Sequence, residues 1–171
     1  MIFVAVGTDE HPFDRLVKFI DSAVGSGYIK EKVVMQTGHS TVEPAYCEYK
    51  RIMPFDEMIG LIRDAEIVIT HGGPGLIIQT LSFAKIPIVV PRQKRFNEHV
   101  DDHQVLFVKR LEKEKKVIAI YELGSLLEAI VKYSEIIKDY NYQTDKTKTN
   151  KTSSFALELD GIIDELFRNR N

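Results

Sequence analysis

Short apolar runs alternate with stripes of helical period along most of this chain. Residues 2–6 are apolar without interruption and stop at Gly7, as a strand buried on both faces would. Phe13, Leu16, Val17, Ile20 and Val24 then recur at helical spacing, with Pro12 suited to the first helical position and Gly25 and Gly27 beyond the end. The same alternation predicts strands over 32–36, 47–52, 66–70, 86–90 and 117–120. It predicts helices over 56–63, 74–84, 98–110 and 123–137, the first of these carrying Met58, Ile59 and Ile62 on one face. Strands that alternate with amphipathic helices belong to the α/β class. We therefore expect a Rossmann-like, doubly wound parallel sheet of about six strands with right-handed crossovers, filling residues 1–139.

The pattern changes after that. Residues 140–154, YNYQTDKTKTNKTSS, contain no aliphatic side chain and read as a polar linker. In residues 155–171, Phe155, Leu159, Ile162 and Leu166 recur at steps of four, three and four, which predicts an amphipathic C-terminal helix with one apolar stripe. Such a stripe must be covered, either by its own domain or by a partner.

Composition narrows the classes of function. With 171 residues, a 44% hydrophobic and 28% charged make-up and a formal net charge of −2, the chain is an ordinary globular one without the basic excess of a nucleic-acid binder. One cysteine, Cys47, excludes an internal disulfide framework and fits a reducing cytoplasm. No stretch approaches the roughly 20 apolar residues of a membrane span, so any membrane attachment is expected to be peripheral and indirect.

Open parallel sheets bind ligands where their strands end, so the strand exits are the places to look for chemistry. One exit carries Gly7 and Thr8. Another reads THGGPGLIIQT, residues 70–80, where Pro74 suits the first turn of a helix and Gly73 its cap. The amides of Gly75 and Leu76 would then project from a helix N-terminus beside His71, a natural anion site. Gly72, Gly73 and Gly75 could adopt positive φ and let a phosphate approach the backbone without meeting a Cβ. The plainer alternative is a tight strand-to-helix connection. No Walker A sequence and no three-glycine dinucleotide fingerprint occurs, which disfavours NAD.

A third exit, PIVVPRQKRFNEHVDDHQ over 87–104, crowds Arg92, Gln93, Asn97, Glu98, His99, Asp102, His103 and Gln104 beyond a buried strand. Carboxylates and amides together suit sugar hydroxyls, which both donate and accept, although a polar helix start would look similar. His99 and His103 lack the companion glutamate of a zinc-protease helix, so no metal site is expected.

Taken together, HGGPGLIIQT and VVPRQKRFNEHVDDHQ resemble the nucleotide-sugar-binding domain of family 28 glycosyltransferases, over nearly the whole chain. VGTDEHPFDRLV at the front is similar to the start of small bacterial exopolysaccharide and capsule glycosyltransferase subunits. It is similar as well to the catalytic subunit of the eukaryotic two-protein enzyme that adds the second N-acetylglucosamine to dolichol-linked sugar. The resemblance implies one lobe of a two-lobed GT-B enzyme, with Gly7, Thr8, His71, Gly72, Gly73 and Gly75 around a UDP-sugar diphosphate. It implies Phe55 at the uracil, a position that an apolar helix staple would equally explain. It also implies Glu98, His103 and Gln104 at the transferred hexose. Two positions depart from the pattern: Leu76 stands where serine is usual, and Gln79 where an acidic residue grips the ribose.

The implied reaction is inverting, metal-independent transfer of galactose or N-acetylglucosamine to a lipid-linked acceptor, with no cofactor beyond the donor. A separate membrane-anchored, acceptor-binding subunit would supply the other lobe. His11 is a candidate general base, with a helix-capping role as its alternative. The competing class is a non-catalytic nucleotide-sugar-binding or regulatory module that Leu76 and Gln79 would signal. A flavodoxin-like reading fails because GTDEHPF lacks the Ser/Thr-rich phosphate loop a flavin needs.

Overall fold

A computed structural model describes residues 1–140. Six parallel strands form one sheet: β1 (Ile2–Ala5), β2 (Val33–Gln36), β3 (Glu48–Lys50), β4 (Ile67–Thr70), β5 (Ile88–Val89) and β6 (Ile118–Ala119), in the order β3-β2-β1-β4-β5-β6. Strand order reverses between β1 and β4. In register there, Ile2 faces Ile67 and Ala5 faces Thr70, so the two strands end side by side.

The sheet is wound on both sides because its central strands are apolar at every position. Ile2, Val4 and Val6 enter one large cluster with Phe13, Leu16, Val17 and Ile20, the buried stripe of α1 (Asp14–Gly25), and with Phe107, Val108 and Leu111 of α4 (His103–Lys113). Phe3, Ala5 and Val68 turn to the opposite face, where Ile62 of α2 (Phe55–Asp64) and Leu76 of α3 (Pro74–Ser82) cover them. Fully burying one such side chain contributes about 1.5–3 kcal/mol, so β1, with no residue above 1% exposure, anchors both cores.

Three expectations need correction. The first helix starts at Asp14, and Pro12 precedes its N-cap, Phe13, whose amide donates to Ser40 Oγ at 3.3 Å. The helix expected from residue 98 begins five residues later. A 3-10 turn over Lys94–Phe96 ends at Asn97 in the left-handed region (φ 57°), and Glu98 is then held in a loop by Arg15, so α4 starts only at His103. The single helix expected over 123–137 is a series of short turns and helices, including α5 (Leu126–Val131) and α6 (Tyr133–Ile136). The polar linker and the C-terminal amphipathic helix lie outside the described residues. No described helix is long and apolar enough to cross a membrane.

Candidate functional site

The crevice at the β1/β4 reversal holds a cavity of about 330 Å³ lined by Gly7, Thr8, Gln36, Met53, Met58, His71, Gly73, Pro74, Gly75 and Leu76. Its position follows from topology. Chains leaving β1 and β4 must turn to opposite faces of the sheet, and a groove opens between them. His71 follows β4 directly, and its amide donates to Ala5 O at 3.2 Å, which ties the β4 exit to the end of β1.

Beyond His71 the chain enters α3 through Gly73 (φ −77°, ψ 132°) and Pro74 at the first helical position. No side chain caps this end. The amides of Gly75 and Leu76 precede the first residue that can reach a carbonyl four positions back, so the helix gives them no acceptor, and both residues line the cavity. Neither Gly73 nor any neighbouring glycine of the segment uses positive φ; only Gly7, Gly27 and Gly38 do among the glycines described. What the loop needs instead is closeness. A Cβ on Gly7 would lie 2.5 Å from the His71 ring and one on Gly73 would also strike it, so the imidazole fits only because glycine flanks it on both sides. At Gly75 a Cβ would meet no protein atom, which leaves that amide open to an incoming group.

Two of the expected phosphate ligands have their amides engaged already. Gly7 N–H donates to Gln36 Oε1 at 3.0 Å while Gln36 Nε2 donates back to Gly7 O at 3.0 Å. Gly72 N–H donates to Gln104 Oε1 at 3.0 Å, and Arg92 N–H donates to the same oxygen at 3.1 Å. Gln104 is therefore a buried clip between two strand exits, and it does not line the cavity. Glu98, expected at the hexose, is 3% exposed and spends its carboxylate on Arg15 Nε (2.7 Å), Arg15 Nη2 (3.0 Å) and the Gln93 amide (3.1 Å). Phe55 is 60% exposed at the start of α2 and outside the lining; Met53 and Met58, on either side of it, supply the apolar wall. Gln79 also falls outside the lining, whereas Leu76 belongs to it. Thr8 lines the cavity.

Gln36, Met53 and Met58 were not anticipated. A lone glutamine closing an apolar strand was the available signal for the first, since a buried amide must have polar partners. Arg92 is wholly buried as well. It donates to Val6 O (2.9 Å), His11 O (2.6 Å) and Glu98 O (3.1 Å) and stacks over Phe13, holding the β1 exit loop against the β5 exit loop.

Burial, followed by the positive charge of Arg92, pushes the His71 pKa down to about 4, so its ring is neutral at pH 7. His11 sits outside the cavity lining in the loop after β1, with Nδ1 2.8 Å from Asp9 Oδ1. Burial raises the Asp9 pKa, but hydrogen bonds from His11 and the charges of Arg92 and His99 outweigh it and hold that carboxyl below its ordinary range. His99 lies 3.4 Å from Asp9 through Nε2, stacks on His11 at 5.9 Å and meets His103 edge-on at 4.4 Å. Burial and the neighbouring His103 lower the His99 pKa. His103 and its neighbour Asp101 approach within 2.5 Å.

The model of the glycosyltransferase family 28 C-terminal domain matches residues 1–159. The chain belongs to this family. Solved structures with the same fold include the glycotransferase of kitacinnamycin (18% identity, TM-score 0.54, 94% of this chain and 40% of that one). They also include CalG4, the calicheamicin glycosyltransferase (15%, TM-score 0.59, 96% and 43%), and SnogD from Streptomyces nogalater (15%, TM-score 0.53, 92% and 43%). The chain thus spans about two fifths of the length of these GT-B glycosyltransferases, and its fold is the Rossmann-like one found in them. No match was found among curated proteins.

Proposed function

We propose that this family 28 glycosyltransferase domain holds the diphosphate of a UDP-sugar at the N-terminus of α3 and transfers its hexose, galactose or N-acetylglucosamine, to a lipid-linked acceptor in polysaccharide biosynthesis. A membrane-anchored partner subunit would complete the cleft and bring the acceptor. The carrying observation is the uncapped end of α3, whose Gly75 and Leu76 line the cavity at the strand-order reversal.

Leaving-group charge is the quantity such a site must manage. As the glycosidic bond breaks, negative charge grows on the diphosphate. Oriented amides and the helix dipole meet it, the dipole alone giving up to about 2 kcal/mol in a partly buried setting. His71 adds a donor, and magnitudes decide its form. Protonating a ring with a pKa of about 4 costs on the order of 4 kcal/mol at pH 7. Shifting the proton to Nε2 requires only that Thr70 Oγ1, 3.4 Å from Nδ1, turn its hydrogen from Ala5 O to that nitrogen. That exchange costs about 1 kcal/mol, and Ala5 O keeps the His71 amide as its donor. The neutral Nε2–H imidazole is the form that binds phosphate.

For the acceptor hydroxyl, the Asp9–His11 pair supplies the arrangement a general base needs. A carboxylate on Nδ1 leaves Nε2 free to accept a proton. The second reading, a nucleotide-sugar-binding module without turnover, is favoured by Gln79 lying outside the cavity. Titrating UDP into the purified protein and into His71→Ala tests the cradle, with at least a tenfold weaker Kd expected in the variant. Transfer of labelled hexose to membrane lipid in the presence of the partner separates enzyme from module. An unchanged Kd in the folded variant would refute the placement of the diphosphate.

A further inference from the structure

Beside the β1 exit, the loop that follows the left-handed turn at Asn97 directs three alternate residues at one point. His99, Asp101 and His103 each offer a ligand atom, and these atoms all lie within 4.8 Å of one another. Their supports are firm. His103 is the first residue of α4, and its amide donates to Asp101 Oδ1 at 3.1 Å, which fixes the carboxylate against the helix start. Two imidazoles, His99 Nδ1 at 3.5 Å and His103 Nδ1 at 2.5 Å, converge on the same Asp101 oxygen.

We propose that His99, Asp101 and His103 bind a divalent transition ion of the zinc class, with Asp9 as the outer carboxylate that orients His99. Two observations favour this over a set of ion pairs. The Asp101 amide donates to His99 Nδ1 at 3.5 Å, an arrangement that suits a proton on Nε2, 3.4 Å from Asp9 Oδ2; a metal at Nδ1 would take over the lone pair that this amide now holds. This is the tautomer, and the outer carboxylate, of a metal-ligating histidine. Tetrahedral ligands at zinc bond lengths are about 3.3–3.6 Å apart. Asp101 and His99 already match, and the remaining atoms need move by only about 1 Å. Two imidazoles and one carboxylate select zinc-like ions over magnesium or calcium, which want all-oxygen shells.

The site was discounted on sequence because the two histidines lack a glutamate between them; the third ligand is the intervening aspartate, carried by the loop.

The test uses zinc alone on the full chain. Competition with a chromophoric chelator is expected to give one saturable Zn²⁺ site. His99→Gln and His103→Asn should weaken it by more than the tenfold to hundredfold typical of lost outer partners, and Asp9→Asn by about that latter amount. His39→Ala should leave it unchanged. On the unaltered chain, side-chain NMR should show Zn²⁺ shifting His99 and His103 while His39 stays put, a readout that needs no variant to fold. Absence of saturable binding, or binding that persists without both histidines, overturns the proposal. Nucleotide is absent throughout, so this outcome is independent of the diphosphate reading.

Discussion

Substituting Gly75 by alanine separates a ligand cradle from a tight turn more cleanly than any other change in the molecule. A methyl group there would meet no protein atom within 4 Å, and Gly75 has no positive φ to strain. The position lies inside α3, where alanine is preferred over glycine by about 0.5–1 kcal/mol. The folded protein should accordingly be as stable as before or slightly more so. If a diphosphate reaches the Gly75 amide, the same methyl stands in its path. Losing one hydrogen bond to a charged group costs about 1.5–3 kcal/mol, which corresponds to roughly a 10- to 150-fold weaker Kd. Isothermal titration with UDP, paired with denaturant unfolding of the same preparations, measures both quantities. Stability held or raised while affinity falls supports the cradle. A Kd within twofold of the unaltered protein would refute it, since stability leaves no other explanation for silence.

Other consequences follow from the groups around the cavity. His71 has a folded pKa of about 4 against about 6.5 when unfolded, so the unfolded chain binds the extra proton between those values. Stability is therefore full above about pH 6.5 and declines as pH falls toward 4, by about 3 kcal/mol in all. Denaturant midpoints across that window should show the slope, and His71→Asn should flatten it. Binding of UDP at pH 7.5 should take up no proton, because the ring donates in its neutral form; identical titration enthalpies in buffers of different ionisation enthalpy check this. Gln104→Leu strips the shared acceptor from two buried amides and should cost about 2–5 kcal/mol in chemical denaturation, with hexose discrimination unaltered in any folded fraction. A normal stability with lost donor-sugar affinity would return Gln104 to the role expected of it from sequence.

The sheet was legible because its central strands are apolar on both faces, a pattern that needs no knowledge of partners: 2–6 and 66–70 mark β1 and β4 to within a residue or so. The helix expected from residue 98 was misplaced for a reason no local window contains. Glu98 is held by Arg15, 83 positions earlier, and that ion pair keeps the segment out of helix until His103. The resemblance implies Phe55 at the uracil, whereas Met53 and Met58 line the cavity; which of three neighbours faces it depends on where α2 sits against α3, and that is set by packing.

Of the candidate site, what could be read was the part encoded by backbone chemistry, namely Pro74 and Gly73 opening a helix straight after a buried strand. Residue type alone does not separate the two roles wherever a polar side chain could serve either ligand or fold. Glu98 and Gln104 look like sugar contacts because carboxylates and amides bind hydroxyls, and the same capacity lets them satisfy Arg15, Gly72 and Arg92 inside the protein. A buried arginine at position 92 forces that outcome. Its guanidinium takes three carbonyl acceptors from two loops, and the loops it gathers must in turn be tied down, so the polar groups nearest it are committed to structure. What remains for chemistry lies on either side of this knot: the α3 amides with His71 toward the β1/β4 crevice, and the histidines of the β5 exit beside Asp9.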